Sequence, residues 1–217
     1  LAVAAPAAAR AALGALRADE ALAERAWSAH AVRPDLHLIV TGVGKVNAAG
    51  AVAIALSGGR YAGVVSAGIA GRLPGSTLEL GAVVAASASV YADEGLQTPT
   101  GFLEVAAIGF PIGPFEGNRV EPHPELRTAL RSLADALLPI ATVSTCSGTD
   151  ALASQVAQRT GAAAEAMEGA AVGHVAARLG VAFGEIRVIS NTTGDRPRQR
   201  WDLKGSLARL GQVISRC

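Results

Sequence analysis

Residues 167–191 read MEGAAVGHVAARLGVAFGEIRVISN, and their pattern decides the fold class. Small and apolar residues at helical spacing predict a helix over Met167–Leu179. An apolar run then predicts a strand over Glu185–Ser190 that ends among polar, turn-forming residues. The same alternation extends outward. Helices are expected over Ala7–Ala31, Asn47–Leu56, Pro124–Leu137, Asp150–Thr160 and Leu203–Arg216, and strands over Leu36–Thr41, Gly63–Ala67, Ala82–Tyr91 and Ile140–Ser144. No repeat or linker divides the chain, so a single α/β domain over residues 1–217 is the simplest account. Leu1–Leu16 is alanine-rich like a signal peptide, but Pro6 and Arg10 interrupt it and no basic segment precedes it. It reads as a strand tail entering a helix. Between Ala92 and His123 periodicity gives way to glycine, proline and isolated Phe102, Phe110 and Phe115, the pattern either of a functional loop region or of a solvated connection pinned by its aromatics.

Composition narrows the classes. The 217 residues carry 19 basic and 18 acidic side chains, a net charge of +1, and half are apolar. A chain this long and apolar buries a sizeable core, which excludes disorder. The absence of a basic stripe excludes binding to nucleic acid through phosphate contacts. No apolar run approaches the ~20 residues that span a bilayer. Cys146 and Cys217 match neither a disulfide framework nor a zinc site, which fits a reducing, cytoplasmic compartment.

Four segments carry chemistry. Thr41–Asn47 (TGVGKVN) follows a strand and opens a helix, so its free N–H groups suit an anion or a ribose, or simply a tight turn. Ser66–Gly71 (SAGIAG) follows another strand, where small residues either admit a flat ring or sugar or allow close packing. Glu168 heads a helix of small residues. It is either a ligand-binding carboxylate or a glutamate favouring the helix dipole. Met167 beside it suits a sugar face or a gap in the core. His174 reads as core or interface, without a second residue spaced to share a metal. Asn191, at the strand end, can donate and accept in one plane, as reading a base edge requires, or it can close an Asx turn.

TGVGKVNAAGA, VSAGIAG, STCSGTD, AEAMEGAAVGHVAARLGV and IRVISNTTGDR, in this order, resemble the nucleoside phosphorylase and nucleosidase superfamily over nearly the whole chain. Within it, the ISN ending, the MEGAAVGHVAARLGVAFGEIR helix and strand, and YADEGLQTPTGFLEVAAIGFP look like the futalosine hydrolases of the alternative menaquinone route. The resemblance implies a three-layer α/β/α fold around a twisted mixed sheet. It implies hydrolysis of the N-glycosidic bond of futalosine to hypoxanthine and dehypoxanthine futalosine, without metal or organic cofactor and without nucleic-acid or membrane partners, by a homodimer or larger homo-oligomer. By the same resemblance, Glu168 takes the ribose diol and Met167 lies under the sugar. Gly68, Ile69, Ala151 and Leu152 are further candidates for contact with substrate, and Phe102 is one by its residue type. Related 6-amino nucleosidases carry aspartate in place of Asn191. An asparagine there instead donates to a 6-oxo group and accepts from a protonated N7, which favours hypoxanthine over adenine.

Related phosphorylases hold phosphate with a Gly-Asp-Pro segment near the N-terminus, which Ala5–Ala8 lacks, although Arg10 lies close by. Relatives that use water carry a glutamate where this sequence has Ala8. Asp93 or Glu94 could replace it, the water step could be slow, or the register could differ. Phe102, Phe110 and Phe115 with Arg119 are candidates for the carboxyphenyl end of the substrate. The competing functions are a 6-oxopurine nucleoside phosphorylase and a purine-binding homologue with little turnover.

Overall fold

The computed structural model describes residues 1–59 and 61–217. The chain enters through β1 (Ala2–Val3) and turns into α1 (Pro6–Ala15), with Pro6 in the first turn, where its missing N–H costs nothing. The helix expected over Ala7–Ala31 stops at Ala15. Arg17 adopts a left-handed φ of 54°, and the Asp19 side chain accepts from Ala21 N to start a separate 3-10 turn over Glu20–Glu24. Trp27 then lays its ring on Gly50 and donates Nε1–H to Thr41 O at 2.7 Å, leading into β2 (Ala29–Arg33). These tertiary contacts cut a run whose alanine content alone favours one helix.

There follow β3 (Leu36–Val40), α2 (Lys45–Leu56), β4 (Gly63–Arg72), β5 (Val83–Tyr91), the hairpin β6 (Gly95–Thr98) and β7 (Gly101–Glu104), β8 (Arg119–Val120) and α3 (Pro124–Arg131). The chain ends with β9 (Ala136–Thr142), α4 (Asp150–Thr160), β10 (Ala164–Ala166), α5 (Gly169–Leu179), β11 (Ala182–Thr192) and α6 (Leu203–Ile214). The strand expected over Ile140–Ser144 thus begins earlier, and the helix expected to reach Leu137 ends at Arg131. Asp135 fixes the change of direction by exchanging hydrogen bonds with Val83, N to O at 2.9 Å and Oδ2 from N at 2.8 Å.

Among the described residues the main sheet runs β10-β9-β5-β11-β4-β1-β3-β2, with β8 on β5. It is mixed: β1, β3, β4 and β11 are parallel, whereas β5 is antiparallel to β11. β10 pairs with β9 and also, antiparallel, with β4, so β4, β11, β5, β9 and β10 close into a ring. Helices α1, α3 and α6 cover one face through Leu13, Leu130 and Leu210 packed with Ile186 and Val188. Helices α2 and α5 cover the other through Val52, Ala170 and Val172 packed with Ile39 and Phe183. The expected three-layer α/β/α arrangement is the one observed.

The stretch Ala92–His123 is more ordered than its composition implies. Phe102 in the β6–β7 hairpin lies under the Arg159 guanidinium, 3.8 Å from ring centroid to Cζ, and Phe115 meets the His174 ring edge-on at 5.1 Å. No helix among the described residues is long and apolar enough to cross a membrane.

Candidate active site

The ends of β1, β4 and β11, parallel neighbours, and of β10, running toward them, converge on a cavity of about 620 Å³. The carboxyl ends of strands are where ligands bind in α/β sheets. Glu168 and Asn191 both line this cavity, together with Met167, Gly68 and Ile69. Ala151 and Leu152 do not line it. Ala151 is exposed in the first turn of α4, and Leu152 packs with Val143 and Val156 in a small cluster that also supports Met167. Phe102, Phe110, Phe115 and Arg119 stand outside it as well.

Glu168 is the N-cap residue of α5, yet its side chain makes no bond to the helix. Thr142 Oγ1 takes the Ala170 N–H at 2.9 Å instead, which leaves the Glu168 carboxylate free to turn toward the cavity. Its Oε1 accepts from Gly44 N at 3.1 Å and its Oε2 from Arg187 Nη1 at 3.2 Å. The glycine turn after β3 therefore offers its N–H to an anion, but to the protein's own. Gly42 and Gly44, with φ of 88° and 94°, supply the backbone shape that this approach needs.

The sequence context of Arg187 reads as a strand interior and does not mark it out. It is almost wholly buried and donates from Nε to Glu185 Oε1 at 2.8 Å and from Nη2 to Ser66 Oγ at 2.8 Å. Burial pulls its pKa down, but Glu185 and then Glu168 more than offset this and hold it above the usual arginine value. Ser66–Gly71, expected as a glycine-rich turn after a strand ending at Ala67, is a continuation of β4. A Cβ at Gly68 would sit 2.6 Å from Arg187 Nη1, and one at Gly71 would sit 3.1 Å from Asn191 Nδ2. The glycines make room for protein side chains as well as forming the cavity wall.

Asn191 follows a register shift in the β11–β4 pairing. Its Nδ2 donates to Thr192 O at 3.0 Å, and since a carbonyl only accepts, the amide orientation follows: Oδ1 faces the Ser190 hydroxyl at 2.8 Å. One N–H and one lone pair remain for a ligand.

Glu165 also lines the cavity. Its oxygens accept from Ser147 N at 2.8 Å and Ser147 Oγ at 2.5 Å, which ties down the loop carrying Cys146 and Gly148. Burial raises the Glu165 pKa against the pull of these bonds. Burial, then Glu165 and Glu168, likewise push the Cys146 thiol up. On the β11–α6 side stand Arg196 and Trp201, with the guanidinium 4.6 Å from the ring centroid. Asp150 and Asp195 anchor that loop by reciprocal bonds of 2.9 and 3.0 Å. Only the unusual run of arginines around Trp201 could have signalled this wall.

Asp93 and Glu94 do not reach the cavity. Both pair with Lys45, Glu94 at 2.9 Å, and Asp93 Oδ2 also takes the Ser144 N–H at 2.6 Å. The wall next to β1 consists of Ala4, Ala5, Ala7 and Ala8.

The Phosphorylase superfamily profile matches residues 20–217. The chain belongs to that superfamily. Among its superfamily relatives, the futalosine hydrolase of Acidothermus cellulolyticus is 40% identical over 183 residues, covering 82% of this chain and 73% of the relative. That of Streptomyces coelicolor is 37% identical over 185 residues, covering 82% and 77%. The superfamily fold also appears in a Streptococcus pyogenes S-adenosylhomocysteine nucleosidase, with a TM-score of 0.72 at 21% identity, covering 99% of this chain and 94% of that one. A Helicobacter pylori futalosine hydrolase mutant has a TM-score of 0.68 at 18% identity, covering 83% and 78%.

Proposed function

We propose that the chain hydrolyses the N-glycosidic bond of futalosine, releasing hypoxanthine and leaving dehypoxanthine futalosine, a step of menaquinone biosynthesis. The observation that carries this reading is that Glu168 and Asn191 open into one cavity, so that a single nucleoside can touch both. The curated relatives supply the substrate. Glu168 accepts from the ribose hydroxyls and Met167 lies against the sugar. Asn191 donates its remaining N–H to the 6-oxo group, and Oδ1 accepts from protonated N7. N7 takes a proton from solvent, the C1′–N bond breaks with its electron pair going to the purine, which leaves as neutral hypoxanthine, and water adds its hydroxyl to C1′ while its other proton returns to solvent. A carboxylate beside the sugar stabilises the developing cation more than the neutral nucleoside.

For the carboxyphenyl end, Arg196 and Trp201 replace the phenylalanines and Arg119 as the groups of suitable chemistry, since they line the cavity and the others do not. We place the working protein in the cytoplasm as a homodimer or larger assembly. In support, Val43, Val46 and Ile54 on and beside α2 are all more than half exposed, and Val43 also borders the cavity. A light-scattering mass of about 22 kDa, a single chain, would rule out the assembly.

The alanine wall favours a second reading, a purine-binding homologue with little turnover. One assay separates the readings: futalosine and its 6-amino analogue, each with and without phosphate. Phosphate-independent release of hypoxanthine from futalosine is expected, with little release of adenine. Release only with phosphate indicates a phosphorylase, and tight binding of hypoxanthine without release indicates the binding homologue.

A further inference from the structure

Beneath the cavity lies a carboxylate that the nucleoside does not touch. Glu185 is completely enclosed; its Oε1 accepts from Arg187 Nε, and its Oε2 takes the Ser89 hydroxyl. It rests against the first turn of α5, where a Cβ at Gly169 would overlap the carboxylate and where the helix N-terminus favours an anion. Arg187 needs one carboxylate for neutrality, yet it holds two, Glu168 at 3.2 Å and Glu185 at 2.8 Å. Two other charged groups line the cavity. Glu165 is bonded through both oxygens to Ser147, and Arg196 is stacked on Trp201.

We infer that Glu185 is a positioning residue that aims Arg187 at Glu168 and, as the second carboxylate, leaves the Glu168–Arg187–Glu185 cluster with one surplus negative charge beneath the sugar. A neutral Glu168–Arg187 pair would favour a ribosyl cation little more than the uncharged nucleoside. The surplus charge makes the preference selective for the transition state. This inference rests on the proposed cleavage through a sugar cation and extends it to a residue outside the cavity.

The test is Glu185→Gln, which keeps the shape and removes the charge. Two uncleavable purine nucleoside analogues are titrated, one with a protonated ring nitrogen in the sugar and one with an uncharged carbocyclic sugar, and kcat and KM are measured on futalosine. We expect the cationic analogue to bind about tenfold or more weakly while the neutral one stays within about twofold, and kcat to fall about tenfold at nearly constant KM. Equal losses for both analogues, or an unchanged kcat, overturn the inference. The double variant Glu185→Gln, Arg187→Gln removes the buried pair together and leaves Glu168 as the only charge of the three. Its preference for the cationic analogue should return to within about threefold of the parent, and a double variant no better than the single one also overturns the inference. Should the single variant fail to fold, the double variant is judged against the parent, and a preference for the cationic analogue weakened by more than about threefold overturns the inference. Because the analogues need only a purine nucleoside pocket, a parent that binds them but leaves futalosine intact defeats the function while the role of Glu185 is still decided.

Discussion

Two walls of one cavity are built on opposite principles. Around Glu168 every polar atom of the buried cluster is engaged: Arg187 meets two carboxylates and a serine hydroxyl, and Gly44 gives its N–H to Glu168. Such a network is rigid and costly to disturb, because removing one partner strands a buried charge. The wall beside β1 presents Ala4, Ala5, Ala7 and Ala8, with no donor, acceptor or charge in their side chains. Under the proposed function, the difference teaches that the groups to grip the sugar and stabilise a cation are built into the fold, whereas activation of water is not assigned to a side chain. The two carboxylates that line the cavity, Glu165 and Glu168, are both already hydrogen-bonded.

The largest effect should come from the charged wall. Glu168→Ala removes the ribose acceptor and leaves Arg187 with Glu185 alone, so kcat/KM for futalosine should fall by about 10³ or more, ~4 kcal/mol of transition-state binding. Steady-state kinetics beside a hypoxanthine titration checks this, because base binding should survive. A loss of less than tenfold would detach the cluster from the chemistry.

The alanine wall gives the next effect, of opposite sign. Ala8 sits in the first turn of α1, which contains no acidic residue, and a glutamate there is favoured by the helix dipole and faces the cavity. Ala8→Glu should raise kcat by about 10² if water activation is what the wall lacks. The gain should be present at neutral pH and lost as pH falls and the new carboxylate protonates, since only the ionised form accepts the proton of water. No gain at any pH would mean that water is already activated elsewhere, and the contrast between the walls would lose its catalytic meaning.

A third change tests what the cavity reads. Asn191→Asp replaces the donor facing a 6-oxo group with a second acceptor, so futalosine cleavage should fall about 10²-fold while the 6-amino analogue gains. Parallel assays on both substrates check this, and a uniform loss on both would show that Asn191 holds the strand end and does not discriminate bases.

The sequence makes some of this legible and hides the rest for identifiable reasons. The helix over Asp150–Thr160 agrees with its expected bounds because Thr149 caps it locally and Gly161 ends it in the left-handed region. Glu168 and Asn191 stand out because each is a polar residue at an element boundary, where local pattern carries information. Arg187 and Glu185 do not, because an alternating strand gives no sign that two of its charged residues pair with each other and with a third in α5's cap. The alanine run after Pro6 hides its break for the complementary reason. Uniform high helix propensity contains no stop signal, and the break shows only in the left-handed φ of Arg17 and the turn that Asp19 starts after it. Ala151 and Leu152 lie near the site in sequence order but outside the cavity, because the loop tied by Glu165 to Ser147 brings Cys146 and Gly148 to the wall instead, and Phe102 is held under Arg159 in the hairpin.

The smallest effect belongs to the rim, where Arg196 and Phe102 offer matched alternatives for the substrate's carboxyphenyl end. Arg196 lines the cavity and its charge is exposed enough to meet a carboxylate, but that same exposure screens the pairing, so Arg196→Ala should raise KM for futalosine by only about fivefold with kcat nearly unchanged. The effect should shrink further at high salt and vanish for a substrate without the carboxylate, such as inosine. Phe102→Ala removes a ring that Arg159 covers and that the cavity does not use, so its KM should stay within about twofold of the parent. If Phe102→Ala raises KM and Arg196→Ala does not, the substrate tail leaves the cavity on the hairpin side. The β6–β7 hairpin would then have to move toward the site when substrate binds.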